Sequence, residues 1–296
     1  MAMAMMDKTA RALGAESLLR LRARIVVMAH NEERRIAACL ASLPLGEPGV
    51  AVHVIVNGST DRTAEIARQF EGVEVREYEE GGKARSWNRF VLDEAESAGA
   101  FIFVDGDAEI APGSLEKLLE ALNQHPEANA VSGMPLNGRG VEDYRQYIRE
   151  EHGLFGDLYA LRGNFVDRMR ASGVRLPVDV IGDDSLVGAL AKTDLRNEDH
   201  WRDARVHPCE EAGFLCEPTR ITLSSLQGQY KRMINYSVRH FQNRIISEIM
   251  RGPGPVALPE HLSSHYAAWL PRFARRRHPL LWWVDRAALR RMAAQI

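Results

Sequence analysis

Apolar runs and helix-period segments alternate along the first 125 residues of the chain. RIVVMA (24–29) is a short continuous apolar run, which suits a strand covered on both faces, and the following NEERRIAACLASL sets Ile36, Leu40 and Leu43 at helical spacing. VHVIV (52–56) is followed by TDRTAEIARQF, with Ile66 and Phe70 on one helical face. VEVREY (73–78) predicts a third strand and KARSWNRFVLDEAESA a third helix; FIFV (101–104) predicts a fourth strand, and PGSLEKLLEAL a helix with a stripe of Leu115, Leu118, Leu119 and Leu122. Strand and helix in strict alternation imply a Rossmann-like, mostly parallel sheet flanked by helices on both faces.

The second half is less regular. Residues 142–172 read as helical, VDVIGDDSLVGALAK as a short strand and turn before a helix, and RVHPCEEAGFLCEP as one or two strands. One long amphipathic helix is expected over SSLQGQYKRMINYSVRHFQNRIISEIM, and GPGPVALP (252–259) is a breaker. The chain therefore divides into an N-terminal extension (1–21), a main α/β domain (22–251) and a helical, basic C-terminal appendage (252–296).

Composition narrows the function classes. The 296 residues carry 38 Lys and Arg against 40 Asp and Glu, a formal charge of -2, so no overall field draws the molecule to nucleic acid. Three cysteines, Cys39, Cys209 and Cys216, make no disulfide framework, and the absence of a signal-like or ~18-residue apolar window leads to the expectation of a cytoplasmic protein that does not span a membrane. Cys209, Cys216 and His207 lack a fourth zinc ligand, and His261 and His265 lack the glutamate of HExxH. GGKA (81–84) is not a P-loop, and no GxGxxG follows the first strand.

The chemistry concentrates where the strands end. Asp105 and Asp107 flank one glycine in FIFVDGDAEI, and two carboxylates so close call for a cationic partner; His30-Asn31-Glu32 and Asn57-Gly58-Ser59 end the first and second strands, where parallel sheets bind ligands. Taken in order, VMAHNEERRIAACLASL, VIVNGSTDRTAEIA, GGKARSWN, FIFVDGDAEIAPGSLEKLL and GDDSLVGAL resemble the inverting glycosyltransferase family two, of GT-A fold, over roughly residues 22–250.

That resemblance implies transfer of one sugar from a nucleoside-diphosphate sugar, a UDP-sugar favoured, to an acceptor hydroxyl with inversion. It implies Mn2+ or Mg2+, with Asp107 as direct ligand and Asp105 reaching ribose and metal; hard oxygen donors suit those ions. Asp184 of Gly182-Asp183-Asp184 matches the general base and Asp183 an acceptor-side contact, although acidic residues also cap helices. Ala29, Asn31 and Glu32 match the segment lining base and ribose, Lys83 a basic residue near the diphosphate, and Asn57 stands where relatives carry an acidic base-reading residue. His207, 23 residues after Asp184, matches a third metal ligand of some relatives. Gln229 and Arg232 match the Q-x-x-R of processive members, but Met233 replaces its tryptophan, which argues for a non-processive enzyme.

The acceptor that the resemblance implies is a glycan, a lipid-linked molecule or a small molecule. Residues 271–292 hold seven Arg against one Asp around Leu280, Leu281, Trp282 and Trp283, a composition suited either to a peripheral contact with an anionic membrane or to packing on the main domain. A noncatalytic nucleotide- or glycan-binding protein of the same fold is the alternative, permitted by Asn57 and Met233.

Overall fold

A computed structural model describes residues 21–138, 140–216 and 223–296. The N-terminal extension lies outside the described residues except for Leu21, which opens the first strand. The first half alternates as the hydrophobic pattern requires: β1 (Leu21–Ala29), α1 (Ile36–Ala41), β2 (Val50–Asn57), α2 (Thr63–Ala67), β3 (Val73–Tyr78), α3 (Lys83–Trp87), β4 (Ala98–Asp105), β5 (Ala108–Ile110) and α4 (Ser114–Gln124). α3 continues directly into a π-helical stretch, Asn88–Glu94.

Among the described residues eight strands form one sheet in the order β3-β2-β1-β4-β7-β6-β8-β5, completed by β6 (Ala130–Pro135), β7 (Leu158–Arg162) and β8 (Val206–Cys216). β1 to β4 are parallel, β7 runs antiparallel between β4 and β6, and β8 is parallel to β6. Alternate residues of β1 serve opposite cores: Ile25 and Val27 pack with Ile36, Leu40, Leu115 and Leu118, while Val26 and Met28 pack with Trp87, Phe103 and Phe241. Both faces are thus covered, which is why these strands read as unbroken apolar runs.

Two expectations are corrected. Residues 142–172 are not one helix but α5 (Val141–Glu151), β7 and α6 (Gly163–Ser172). Leu158, Tyr159, Ala160 and Leu161 are all buried and pair with β4, and the last three pair with β6 as well, which outweighs helical spacing. The expected short strand before Gly182 does not form, because the loop's backbone is bonded elsewhere: Val178 N–H donates to Glu260 O (2.8 Å) and Ile181 N–H to Gln242 Oε1 (2.9 Å). α7 (Asp183–Thr193) follows directly.

The long helix α8 (Leu223–Arg251) forms as expected, and α9 (Tyr266–Trp269) and α10 (Pro279–Ala293) follow it. Leu262, Tyr266, Ala288 and Met292 join the same core as Trp87 and Phe241, so residues 252–296 share a core with the sheet. They also clamp the loop before α7. Asp179 accepts from the Leu262 and Ser263 N–H groups (2.7 and 2.9 Å), and buried Gln242 donates to Asp179 O and meets the Tyr266 hydroxyl (2.9 and 2.8 Å).

Candidate active site

β1 and β4 are neighbours, and the order reverses between them, which opens a crevice at their carboxyl ends. Gly106 fits there because an added Cβ would lie 3.0 Å from Ala29 Cβ; its N–H donates to Met28 O (2.9 Å). This close approach puts Asp105 and Asp107 beside the end of β1.

Carboxylate oxygens of Asp105, Asp107 and Asp157 all lie within 4.8 Å of one another. Three hard oxygen donors this close suit a divalent cation such as Mn2+ or Mg2+, and their charges suit nothing neutral. Burial pushes the Asp105 carboxyl upward, and Asp157 and Asp107 add to the rise against the opposing Lys83 ammonium, whose Nζ is 2.5 Å from Asp105 Oδ1. The Asp157 carboxyl is likewise raised by burial, although the Cys216 thiol donates to it (3.2 Å). On the other side Arg35 reaches Asp107 Oδ2 (3.1 Å) and Glu32 (2.5 Å). Burial and the nearby Asp107 push Glu32 up to about 7.

A cleft of about 720 Å³ runs from this cluster to the start of α7. Gly156 stands at the junction: a Cβ there would lie 3.1 Å from Lys83 Nζ, 3.4 Å from Asp105 Oδ2 and 3.9 Å from Asp184 Oδ2. Asp184 therefore faces the same small space as Asp105. Burial raises its carboxyl, Asp183 adds to that, and Arg239 at 3.5 Å opposes it. Gly182, at φ +86, leaves room for that arginine, since its Cβ would fall 2.3 Å from Arg239 Nε. Asp183 diverges, as successive helix residues must, into a second cavity of about 530 Å³ alongside Gly81, Val178 and Arg291, where its Oδ2 is buried without a hydrogen-bond partner.

A family model described as "Glycosyl transferase family 2" matches residues 24–180, more than half the chain. The chain belongs to glycosyl transferase family 2. No curated protein matches it in sequence. Among solved structures, this family 2 glycosyltransferase is similar to a mannosyltransferase from Pyrobaculum calidifontis in complex with GDP-Man and Mn2+ (21% identity, TM-score 0.59, covering 93% of this chain and 76% of that one). It is also similar to glucosyl-3-phosphoglycerate synthase from Mycobacterium tuberculosis, solved with Mn2+, UDP-glucose and phosphoglyceric acid (21% identity, TM-score 0.54, covering 80% of each). At these identities the likeness shows the fold, which is GT-A-like as expected.

The remaining residues named from the sequence divide. Asn31, at φ +56, accepts from Thr60 N–H (2.8 Å) and, with Glu32, ties the end of β1 to the Ser59–Thr63 loop. Asn57, expected to line the nucleotide pocket, is buried; its amide donates to Ala29 O (3.0 Å) and its carbonyl accepts from Gly82 N–H (3.3 Å), so the side chain also braces β1, β2 and the Gly81-Gly82 loop. His207, expected as a metal ligand, lies apart from the carboxylate cluster. It pairs with Val131 near the start of β8 and stacks on His125 at 3.6 Å, whereas Cys216, at the other end of β8, touches Asp157. At ~3.3 Å per residue along the paired strands the two ends are roughly 20 Å apart.

Gln229 and Arg232 lie on α8 but do not line the cleft; Arg239, seven residues and two turns beyond Arg232, does. Asp157, Arg35 and Arg239 were missed from the sequence. Only the glycines before Asp157 and the period of α8 carried any signal for them.

Proposed function

We propose that this glycosyltransferase moves one hexose from a nucleoside-diphosphate sugar to an acceptor hydroxyl with inversion, Asp184 acting as the general base. The observation that carries the reading is the Gly156 junction, where Asp105, Lys83 and Asp184 converge on one space. Asp105, Asp107 and Asp157 would hold the divalent ion, which when bound neutralises the charge that gathers on the departing diphosphate.

The chain's own groups have distinct tasks in this reading. Lys83 adds a fixed positive charge beside the diphosphate. Asn31 and Glu32 shape the floor under the nucleoside at the end of β1, with Ala29 main chain behind them. A UDP-sugar is the favoured donor, as in the synthase solved with UDP-glucose. Asp184 accepts the proton of the attacking hydroxyl, and the burial that raises its carboxyl makes it a better base than an exposed aspartate. Asp183, facing the neighbouring cavity, supports the acceptor side from behind. A single direct displacement from the face opposite the diphosphate inverts the anomeric carbon.

No helix among the described residues is long and apolar enough to cross a membrane, and with Met233 in place of tryptophan this supports single transfers over polymer synthesis. A peripheral membrane contact is supported by Trp283, 62% exposed, with Arg286 over its ring at 5.6 Å. Binding to anionic but not neutral vesicles, lost in Trp283→Ser, would bear this out; equal binding to both would refute it. Inversion is tested by proton NMR of the first product formed. An anomeric configuration opposite to the donor's is expected, with none formed by Asp184→Asn, and a retained configuration would overturn the mechanism.

A further inference from the structure

We propose that the outer end of the cleft is an aromatic acceptor subsite for a neutral, hydroxyl-rich glycoside, an inference that rests on the transferase reading above. Tyr144 and Tyr147, three residues apart on α5 and so neighbours on its surface, line the cleft together with Tyr236 from α8. They are 45%, 52% and 60% exposed, and all three line the space that contains Asp184. Scattered exposed aromatics are ordinary, but three lining one cleft make a binding surface.

The surface is held in place. The Tyr144 ring meets Phe155 edge-on at 5.4 Å, and Phe155 stacks on Phe214 at 5.7 Å. Tyr147 passes Gly153 so closely that a Cβ there would sit 2.8 Å from its ring. Both tyrosines are therefore fixed by the loop that delivers Asp157. The nucleoside end of the proposed donor site, at Asn31 and Glu32, does not line this cleft. Its tyrosine end is left for the second substrate.

Charge selects the class of that substrate. With Asp105 and Asp157 assigned to the divalent ion and Lys83 to the diphosphate, the remaining charged groups lining the cleft among the described residues are Asp143, Asp184 and Arg239. Arg239 is already engaged with Asp184. A phosphorylated or carboxylated acceptor would meet no free positive partner there, whereas a sugar ring presents apolar C–H faces to the tyrosines and hydroxyl donors to Asp143. This differs from the phosphoglyceric acid bound by the synthase.

The test uses the full chain with Mn2+ and its best nucleotide-sugar donor. Methyl glucoside, methyl mannoside, cellobiose and maltose are compared with 3-phosphoglycerate by saturation-transfer NMR and by sugar transfer. At least one neutral glycoside is expected to bind and accept sugar in preference to 3-phosphoglycerate. Tyr236→Ala and Tyr144→Ala should each raise its KM on the order of tenfold with a smaller change in kcat, and Tyr236→Phe should restore it, the scale and pattern of losing one aromatic contact. Preference for 3-phosphoglycerate, binding by no glycoside, or KM values indifferent to both alanine variants would overturn the proposal. Failure of the transferase reading looks different: no nucleotide sugar would then be turned over at all.

Discussion

Gly182→Ala should disable the enzyme through an arginine that it does not itself bond. Gly182 sits at φ +86, where an alanine costs about 1–2 kcal/mol of backbone strain. Its new Cβ would stand 2.3 Å from Arg239 Nε and 2.5 Å from Cζ, against ordinary contact from 3.4 Å outward, so the guanidinium must retreat by about 1 Å. That retreat opens the 3.5 Å pairing with Asp184, and a displacement of ~1 Å at a reacting group can cost ~100-fold in rate. The assay is kcat/KM for nucleotide release, with urea midpoints measured in parallel. Gly182→Ala should lose ~100-fold in kcat/KM and about 1–2 kcal/mol in stability. Arg239→Ala should lose similar activity with less strain, and the double variant should lose no more activity than Arg239→Ala alone, because the clash has nothing left to displace. If the two activity losses multiply, the glycine does not act through the arginine.

Other expectations concern the metal cluster, the sheet and the C-terminal segment. Asp157→Asn should weaken Mn2+ binding, followed by paramagnetic relaxation in the presence of UDP, by at least the ~10- to 100-fold typical of losing a supporting ligand partner; unchanged affinity would remove Asp157 from the site. Burial holds the His53 imidazole down at about 4, opposed by Glu74. The unfolded chain then binds the extra proton first, so stability is complete above ~6.5 and should fall by about 2 kcal/mol from pH 7 to pH 5; urea midpoints should show this loss shrinking in His53→Gln. Asp285, fully buried, accepts from Ser237 (2.9 Å) and from Arg276, so Asp285→Ala should cost about 3 kcal/mol in urea unfolding. A loss below ~1 kcal/mol, within the range of an exposed ion pair, would show that the C-terminal helices add little to the core.

Much of the first half was legible because its strands are buried on both faces and its ligand-side residues sit at their ends. RIVVMA, VHVIV and FIFV each became parallel strands, and the residues after them meet at the switch point between β1 and β4. The second half resisted for specific physical reasons. Leu158–Leu161 can serve a helix or a strand, and only the vacant edges of β4 and β6 decide it. Asp157 has no fixed spacing from Asp105, since it arrives by a loop that returns to the sheet. His207 fitted a spacing but not a direction, for β8 carries it away from the carboxylates. Arg239 was obscured by the Q-x-x-R segment two turns earlier on the same helix. The burial of Asn57 and its two main-chain partners exist only in the folded chain, so no spacing along the sequence signals its bracing role.

The most direct measurement is nucleotide release from UDP-, GDP- and dTDP-sugars with and without Mn2+ or Mg2+, comparing the natural chain with Asp107→Ala and Asp184→Asn. Release from at least one donor, dependent on the ion and reduced ~100-fold or more by each substitution, is expected of a metal-assisted transferase with Asp184 as base. Turnover that survives Asp184→Asn unchanged would contradict that assignment, and failure of every donor to bind or turn over would contradict the donor site itself.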